Sequence, residues 1–217
     1  MSDLQQEQHP FLDFFKKNQK SLTYALVLAI VLVGGFFGYT ELYQKPREAK
    51  AADAMFMAEK YFANDSSTFV LNGDGQSKGV LYIIKEFSGT KAANLAKYYA
   101  GVSYFRLNDF NKSIEYLKDF STDAKQIQAV AYGTLGDAYA SLNKVDDAVS
   151  YYKKAGTYFP EDEAISSEYI FRAAAYLELN GKADEAIELY TKIKNEYPKS
   201  EKGFMADKYI NRLKIQP

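Results

Sequence analysis

The sequence predicts an all-α chain: a single N-terminal transmembrane helix, then an α-solenoid of three to four helix pairs plus a capping helix. Three observations predict it. Residues 22–39 read LTYALVLAIVLVGGFFGY, eighteen residues without a charge. The pattern Tyr-x-x-Leu-Asn recurs at Tyr104–Asn108, Tyr139–Asn143 and Tyr176–Asn180, at offsets of 35 and 37 residues. Nineteen Tyr and 15 Phe with no Trp supply large amphipathic rings of the kind wedged between many helices.

Composition narrows the chemistry. The 217 residues, 47% hydrophobic and 25% charged, suit one folded domain plus one extra segment. With 27 basic against 28 acidic residues the formal charge is -1, which gives no overall field for nucleic acid phosphates, so no nucleic acid partner is expected. There is no Cys, hence no disulfide, thiolate nucleophile or thiolate metal site. The only histidine, His9, lies in the N-terminal tail. Without His, Cys or a Gly-rich phosphate loop, the folded part is expected to be non-catalytic, with no cofactor and no metal.

The elements follow in order. Residues 1–21 form a tail in which PFLDFFKK, Pro10–Lys17, places Phe11, Leu12, Phe14 and Phe15 at a membrane interface beside lysines, or else frays. The 22–39 run, at about 1.5 Å per residue, spans roughly 27 Å as a helix, close to the bilayer core. A buried soluble helix is one alternative. A cleaved signal peptide is another, but its apolar core is shorter and ends at a small-x-small site, which Gly38-Tyr39-Thr40 matches poorly. An uncleaved signal anchor is therefore expected, with the lipid bilayer as a partner. Lys16, Lys17 and Lys20 are matched in number by Lys45, Arg47 and Lys50. The first set lies closer to the span, favouring a single-pass protein with its N-terminus cytoplasmic and its C-terminal domain outside, in the periplasm if the membrane is a bacterial inner membrane. The reversed topology is the alternative. Gly34 and Gly38 form a GxxxG that lets another membrane helix pack closely, although small residues are common in such helices. Residues 40–46 read as a short linker, and residues 47–217 as the repeat domain.

Within that domain Pro46 opens a helix over Arg47–Ala63. A long loop, Asn64–Gln76, follows, and then a second helix, Gly79–Phe87. The loop's Asn72-Gly73-Asp74-Gly75 is no calcium site, because an EF-hand register would put Val70 and Leu81 at ligand positions; it reads as a tight turn. Each Tyr-x-x-Leu-Asn joins two amphipathic stretches, the second carrying a small residue, Ser113, Ala148 or Ala186. Thr90, Asp162 and Ser200 are N-cap candidates, and Ser200–Leu213 caps the array, which makes nine helices.

Tyr132, Leu135, Gly136, Tyr139, Ala148, Tyr152, Ala155 and Pro160 match in order and spacing the tetratricopeptide repeat signature, with Tyr for Trp and for Phe at two places. The chain therefore resembles a tetratricopeptide-repeat α-solenoid. The flanking copies are degenerate, and the last has one extra residue, Gly181, assigned to its turn. The resemblance implies a protein-binding groove on the first helix of each pair: Leu95, Tyr98, Val102, Phe105 and Arg106; then Val130, Gly133, Asp137, Ala140 and Ser141; then Ser167, Ile170, Ala174, Leu177 and Glu178. Family members that clamp a terminal carboxylate use Lys, Arg and Asn there, and Arg106 alone makes no clamp. A largely apolar groove accepts hydrophobic stretches of unfolded or translocating polypeptide, or is filled by the protein's own side chains.

A basic tail, one N-terminal membrane helix and three to four repeats together resemble the YfgM-type ancillary subunits of the bacterial SecYEG translocon. That resemblance implies a non-catalytic adaptor beside SecYEG and a membrane-anchored periplasmic chaperone of the PpiD type, assisting handover of secreted polypeptides. The alternative is a membrane-tethered scaffold for another cell-envelope assembly.

Overall fold

The computed structural model describes residue 14 and residues 16–215. Phe11, Leu12 and Phe15 of the expected interfacial segment, and His9, lie outside the described residues. The chain divides into two compact units, Met1–Ala49 and Lys50–Pro217. Regular structure among the described residues is helical, apart from an isolated antiparallel bridge between Gly73 and Lys78.

In the first unit α1 spans Gln19–Tyr39 and buries none of its residues. Its 21 residues measure about 31 Å, and by length and composition it is a candidate to cross a membrane. Hydroxyls along it are satisfied internally: Thr23 donates to the Gln19 carbonyl at 2.8 Å, and Thr40 to that of Phe36 at 2.9 Å. The segment 40–46, expected to be a linker, is helical instead. Thr40–Gln44 forms a π-helical turn, and α2, Lys45–Ala63, follows at once. Pro46 accounts for the widened turn, because it has no N–H for the Leu42 carbonyl and its ring crowds that oxygen. Nothing else in the segment breaks a helix, and Lys45 pairs with Glu41 one turn back.

The second unit is a stack of helical hairpins. A six-residue helix, α3 at Ser67–Asn72, interrupts the expected Asn64–Gln76 loop and buries Val70 and Leu71. Next come α4 (Val80–Glu86), α5 (Lys91–Arg106), α6 (Phe110–Lys118), α7 (Lys125–Ser141) and α8 (Val145–Tyr158). The last three are α9 (Glu163–Leu179), α10 (Ala183–Glu196) and α11 (Glu201–Ile215). From α2 onward ten helices are described, one more than the sequence suggests. On α2, Ala51, Met55 and Ala58 share one face and pack with Val80 and Ile83 of α4 and Ala92, Ala96 and Ala100 of α5. A second core runs from Leu117 through Leu135, Tyr152, Ile170, Leu177 and Tyr190 to Leu213.

The N-caps fall where the sequence puts them. Thr90 accepts from the Ala93 N–H, Asp162 from that of Ile165 and Ser200 from that of Gly203, each at 3.0 Å. The hairpin turns repeat one closing geometry. A residue at positive φ, Asp65, Asn108, Asn143 or Gly181, ends the first helix. The next N–H then bonds five residues back, from Asp109 to Tyr104, from Lys144 to Tyr139 and from Lys182 to Leu177. In the third hairpin the anchor is thus Leu177, and Tyr176 is not equivalent to Tyr104 and Tyr139. Gly181 is no insertion; it occupies the left-handed position that Asn108 and Asn143 hold elsewhere. Counted this way, the second and third repeats are offset by 38 residues throughout: Gly136 with Ala174, Ala148 with Ala186, Tyr152 with Tyr190 and Pro160 with Pro198.

Candidate protein-binding face

The first helices α5, α7, α9 and α11 touch one another in succession, whereas among the described residues α6, α8 and α10 do not. A stack whose first helices lie close and whose second helices splay apart curves toward the first. The inner face is therefore lined by α5, α7 and α9. On α5, Leu95, Tyr98, Val102 and Phe105 are half-buried there, and on α7 Val130, Asp137 and Ala140 are half-buried and Ser141 exposed. Ser141 donates its hydroxyl to the Asp137 carbonyl at 2.9 Å.

Four of the five α9 positions expected to line the groove belong to the core. Ile170 and Leu177 are each 1% exposed, and Ser167 and Ala174 are buried with them. The cause is the slip at Tyr176: one residue turns a helix by about 100°, which rotates the assigned set from the inner face into the packing. With the 38-residue offset, the five α7 positions map on α9 to Glu168, Phe171, Ala175, Glu178 and Leu179. Of these, Glu178 alone is among the positions expected from the sequence. The signal lies in the constant spacing of Ala148 to Ala186 and Tyr152 to Tyr190, but Tyr176-x-x-Leu-Asn imitates the turn motif one residue early. Gly133 is also no lining residue. It is buried, and a Cβ there would lie 2.0 Å from the Tyr169 ring, so the glycine admits α9.

The face has two chemically distinct halves. At α5 it is aromatic and apolar, and α2 covers its outer end: the Phe62 ring lies 4.6 Å from that of Tyr99, and the Arg106 guanidinium sits 4.4 Å over Phe62 while pairing with Asp65 at 3.0 Å. Arg106, assigned to the groove, is held by this contact. Across α7, α9 and α11 the face is ionic. Tyr152 donates to Asp137 at 2.7 Å, and Arg172 donates to both Asp137 oxygens at 3.0 and 3.2 Å. Arg172 also meets Glu168 at 2.8 Å, which in turn meets Lys202 at 3.3 Å. Nearby, Tyr176 donates to the Ala140 carbonyl at 3.0 Å, while Tyr190 and Arg212 donate to Glu178. These contacts tie the five helices α7 to α11 together, mostly through charge-assisted bonds.

The environment shifts these groups. Burial, then the Asp137 carboxylate, pushes the Tyr152 phenol far above its ordinary range, and burial pushes Tyr169 up to about 12. Burial disfavours the Arg172 charge, but the Glu168 hydrogen bond and Asp137 outweigh it and hold the guanidinium above its usual value. Burial also opposes the Glu168 charge, and Arg172 and Lys202 outweigh it to keep that carboxyl below the ordinary glutamate range. No three His, Asp or Glu side chains among the described residues converge as a metal site requires. What the face offers is apolar contact on α5 beside an already satisfied ionic ladder. Gly34 and Gly38, assigned to membrane-helix packing, have nothing within 4 Å of where a Cβ would stand.

Comparison with known proteins agrees with this architecture. Tetratricopeptide repeat models match residues 95–124, 129–162 and 169–200. Among solved structures, the chain is similar to nearly identical TPR-like repeats from Podosopora anserina, described as those of a kinesin light chain. Identity is 12% and the TM-score 0.53, covering 76% of this chain and 86% of that one. A single-substitution variant of the same repeats gives 12% identity and a TM-score of 0.52, covering 76% and 85%. No curated protein matches the chain.

Proposed function

We propose that this tetratricopeptide-repeat protein is a membrane-anchored, non-catalytic adaptor: α1 spans a bacterial inner membrane and the repeats bind apolar polypeptide in the periplasm. Tetratricopeptide repeats mediate protein–protein contact, which is the general part of the reading. One observation supports the anchored form. An apolar helix of 21 residues that buries none of them is joined to a repeat array with a partly open apolar inner face. Side chains of that length and composition leave water at a gain of several kcal/mol in total when they enter a bilayer.

The resemblance to YfgM-type subunits assigns the adaptor to the SecYEG translocon, beside a PpiD-type chaperone, where emerging segments are still unfolded and display apolar residues. The residues that would meet them are Leu95, Val102 and Phe105, with Val130 and Ala140 continuing the strip. Arg172 and Glu168 would hold the curvature of the face rather than take part in binding.

Purification of the full chain from its own membranes in mild detergent tests this. SecYEG subunits and the chaperone are expected in the eluate. Their repeated absence, or recovery of one unrelated envelope assembly, overturns the translocon assignment. Protease added to spheroplasts is expected to digest the repeat domain; protection of the domain overturns the topology.

A further inference from the structure

The helix α11 carries two large apolar side chains that its packing on the array leaves exposed. Its inward side, Ala206, Ile210 and Leu213, packs on the array. Its outward line is Phe204, Lys208, Asn211 and Ile215, successive residues three or four apart on one face. Phe204 is 78% exposed and Ile215 80%.

We infer that α11 is a homodimerisation surface on which two copies of this chain pack antiparallel about a dyad lying between residues 209 and 210. The spacing selects this occupant. Phe204 and Ile215 stand equally far from that midpoint, so an antiparallel second copy sets Phe204 against Ile215 at both ends. Asp207 falls on the same flank as Lys214 and within about one turn of it across the dyad, giving two ion pairs of opposite charge. Asp207 already draws Lys194 at 2.7 Å and would bridge the two lysines. Lys208 and Asn211 meet at the centre, where the lysine stem lies across the contact and its ammonium reaches water. A parallel arrangement instead opposes Lys208 to Lys208. A contact of one helix per copy falls among the smallest specific interfaces, under about 1,200 Å². The dimer is therefore weak in free solution and is populated where a shared bilayer raises the effective concentration.

The chain has no cysteine, which makes the test clean. Full-length Phe204→Cys and Ile215→Cys chains with different tags are mixed in phospholipid vesicles and treated with a short bis-maleimide. Vesicle flotation is scored first. A chain that fails to insert counts against the anchor, and the crosslinking is then run in concentrated free solution. The mixed 204–215 product is expected at least tenfold above either same-site product, since 204 and its copy lie about 16 Å apart along antiparallel helices. Introducing Phe204→Glu on the Ile215→Cys chain is expected to cut the mixed product tenfold or more, with the helical circular dichroism unchanged. No dimeric product, or same-site products in excess, overturns the inference.

Discussion

Truncating Ile170 to Ala separates the two registers for the third repeat. In the structure Ile170 is 1% exposed, packed between α8 and α9 with a Gly156 backbone against it. Removing three carbons forfeits about 0.8 kcal/mol each in transfer free energy. The space left adds about 1 to 2 kcal/mol, because neighbouring helices relax only in part. The expected loss is about 3 to 4 kcal/mol, and Leu177→Ala, equally enclosed, should lose a similar amount. For a domain of this size each kcal/mol lowers Tm by about 2 to 4 °C, so the shift is about 6 to 16 °C. Urea titration of the full chain in mild detergent, followed by helical circular dichroism, measures it. Phe171→Ala is a poor control because its ring packs against Tyr190 and Tyr209; Leu179→Ala, at an exposed site, should change stability by under about 0.5 kcal/mol. A loss below about 1 kcal/mol at Ile170 would place it on the groove and refute the 38-residue offset.

Other outcomes follow from the same geometry. Gly136→Leu drives atoms into the Tyr152 ring, which already lies 2.5 Å from a Cβ at that site, and should cost about 1 to 3 kcal/mol; an unchanged melting curve contradicts the α7–α8 packing. Tyrosine absorbance between about pH 10 and 11 should show Tyr152, Tyr169 and Tyr190 unionised until urea is added, because folding raises all three phenols. Their share of the stability is complete below about pH 10 and is lost as pH rises through the folded values. Glu168 has the opposite sign: its folded carboxyl is depressed, so its contribution is complete above about pH 4.5 and is lost as pH falls through the lower folded value. Glu168→Gln should flatten the drop in urea midpoint between about pH 5 and pH 3, and an undiminished drop would show that the ionic ladder contributes nothing.

Much of the fold is legible residue by residue. Thr90, Asp162 and Ser200 announce helix starts because a short polar side chain there satisfies an orphan N–H, and local chemistry of that kind survives in any tertiary setting. Small residues such as Gly136 and Ala148 reveal where helices approach. What the sequence hides depends on contacts. The helix α3 is too short to be stable alone, and exists because Val70 and Leu71 find a core against α4 and α5. Residues 40–46 look like a linker by charge, yet their helix formers need no partner to continue a helix. The α9 face is misread because Tyr176 repeats a turn motif while the true anchor, Leu177, differs chemically from Tyr139. A side chain's face depends on a count that a degenerate repeat can shift by one.

The central claim is that an anchored array receives apolar polypeptide on the α5 side of its inner face. A photoreactive amino acid placed at Phe105 in the full chain, illuminated in its own membranes, tests it most directly, with the exposed Lys153 on α8 as the outward control. Adducts with many polypeptides, dependent on ongoing secretion and at least severalfold above the Lys153 control, are expected. Equal labelling from both sites, or none from Phe105, would contradict it.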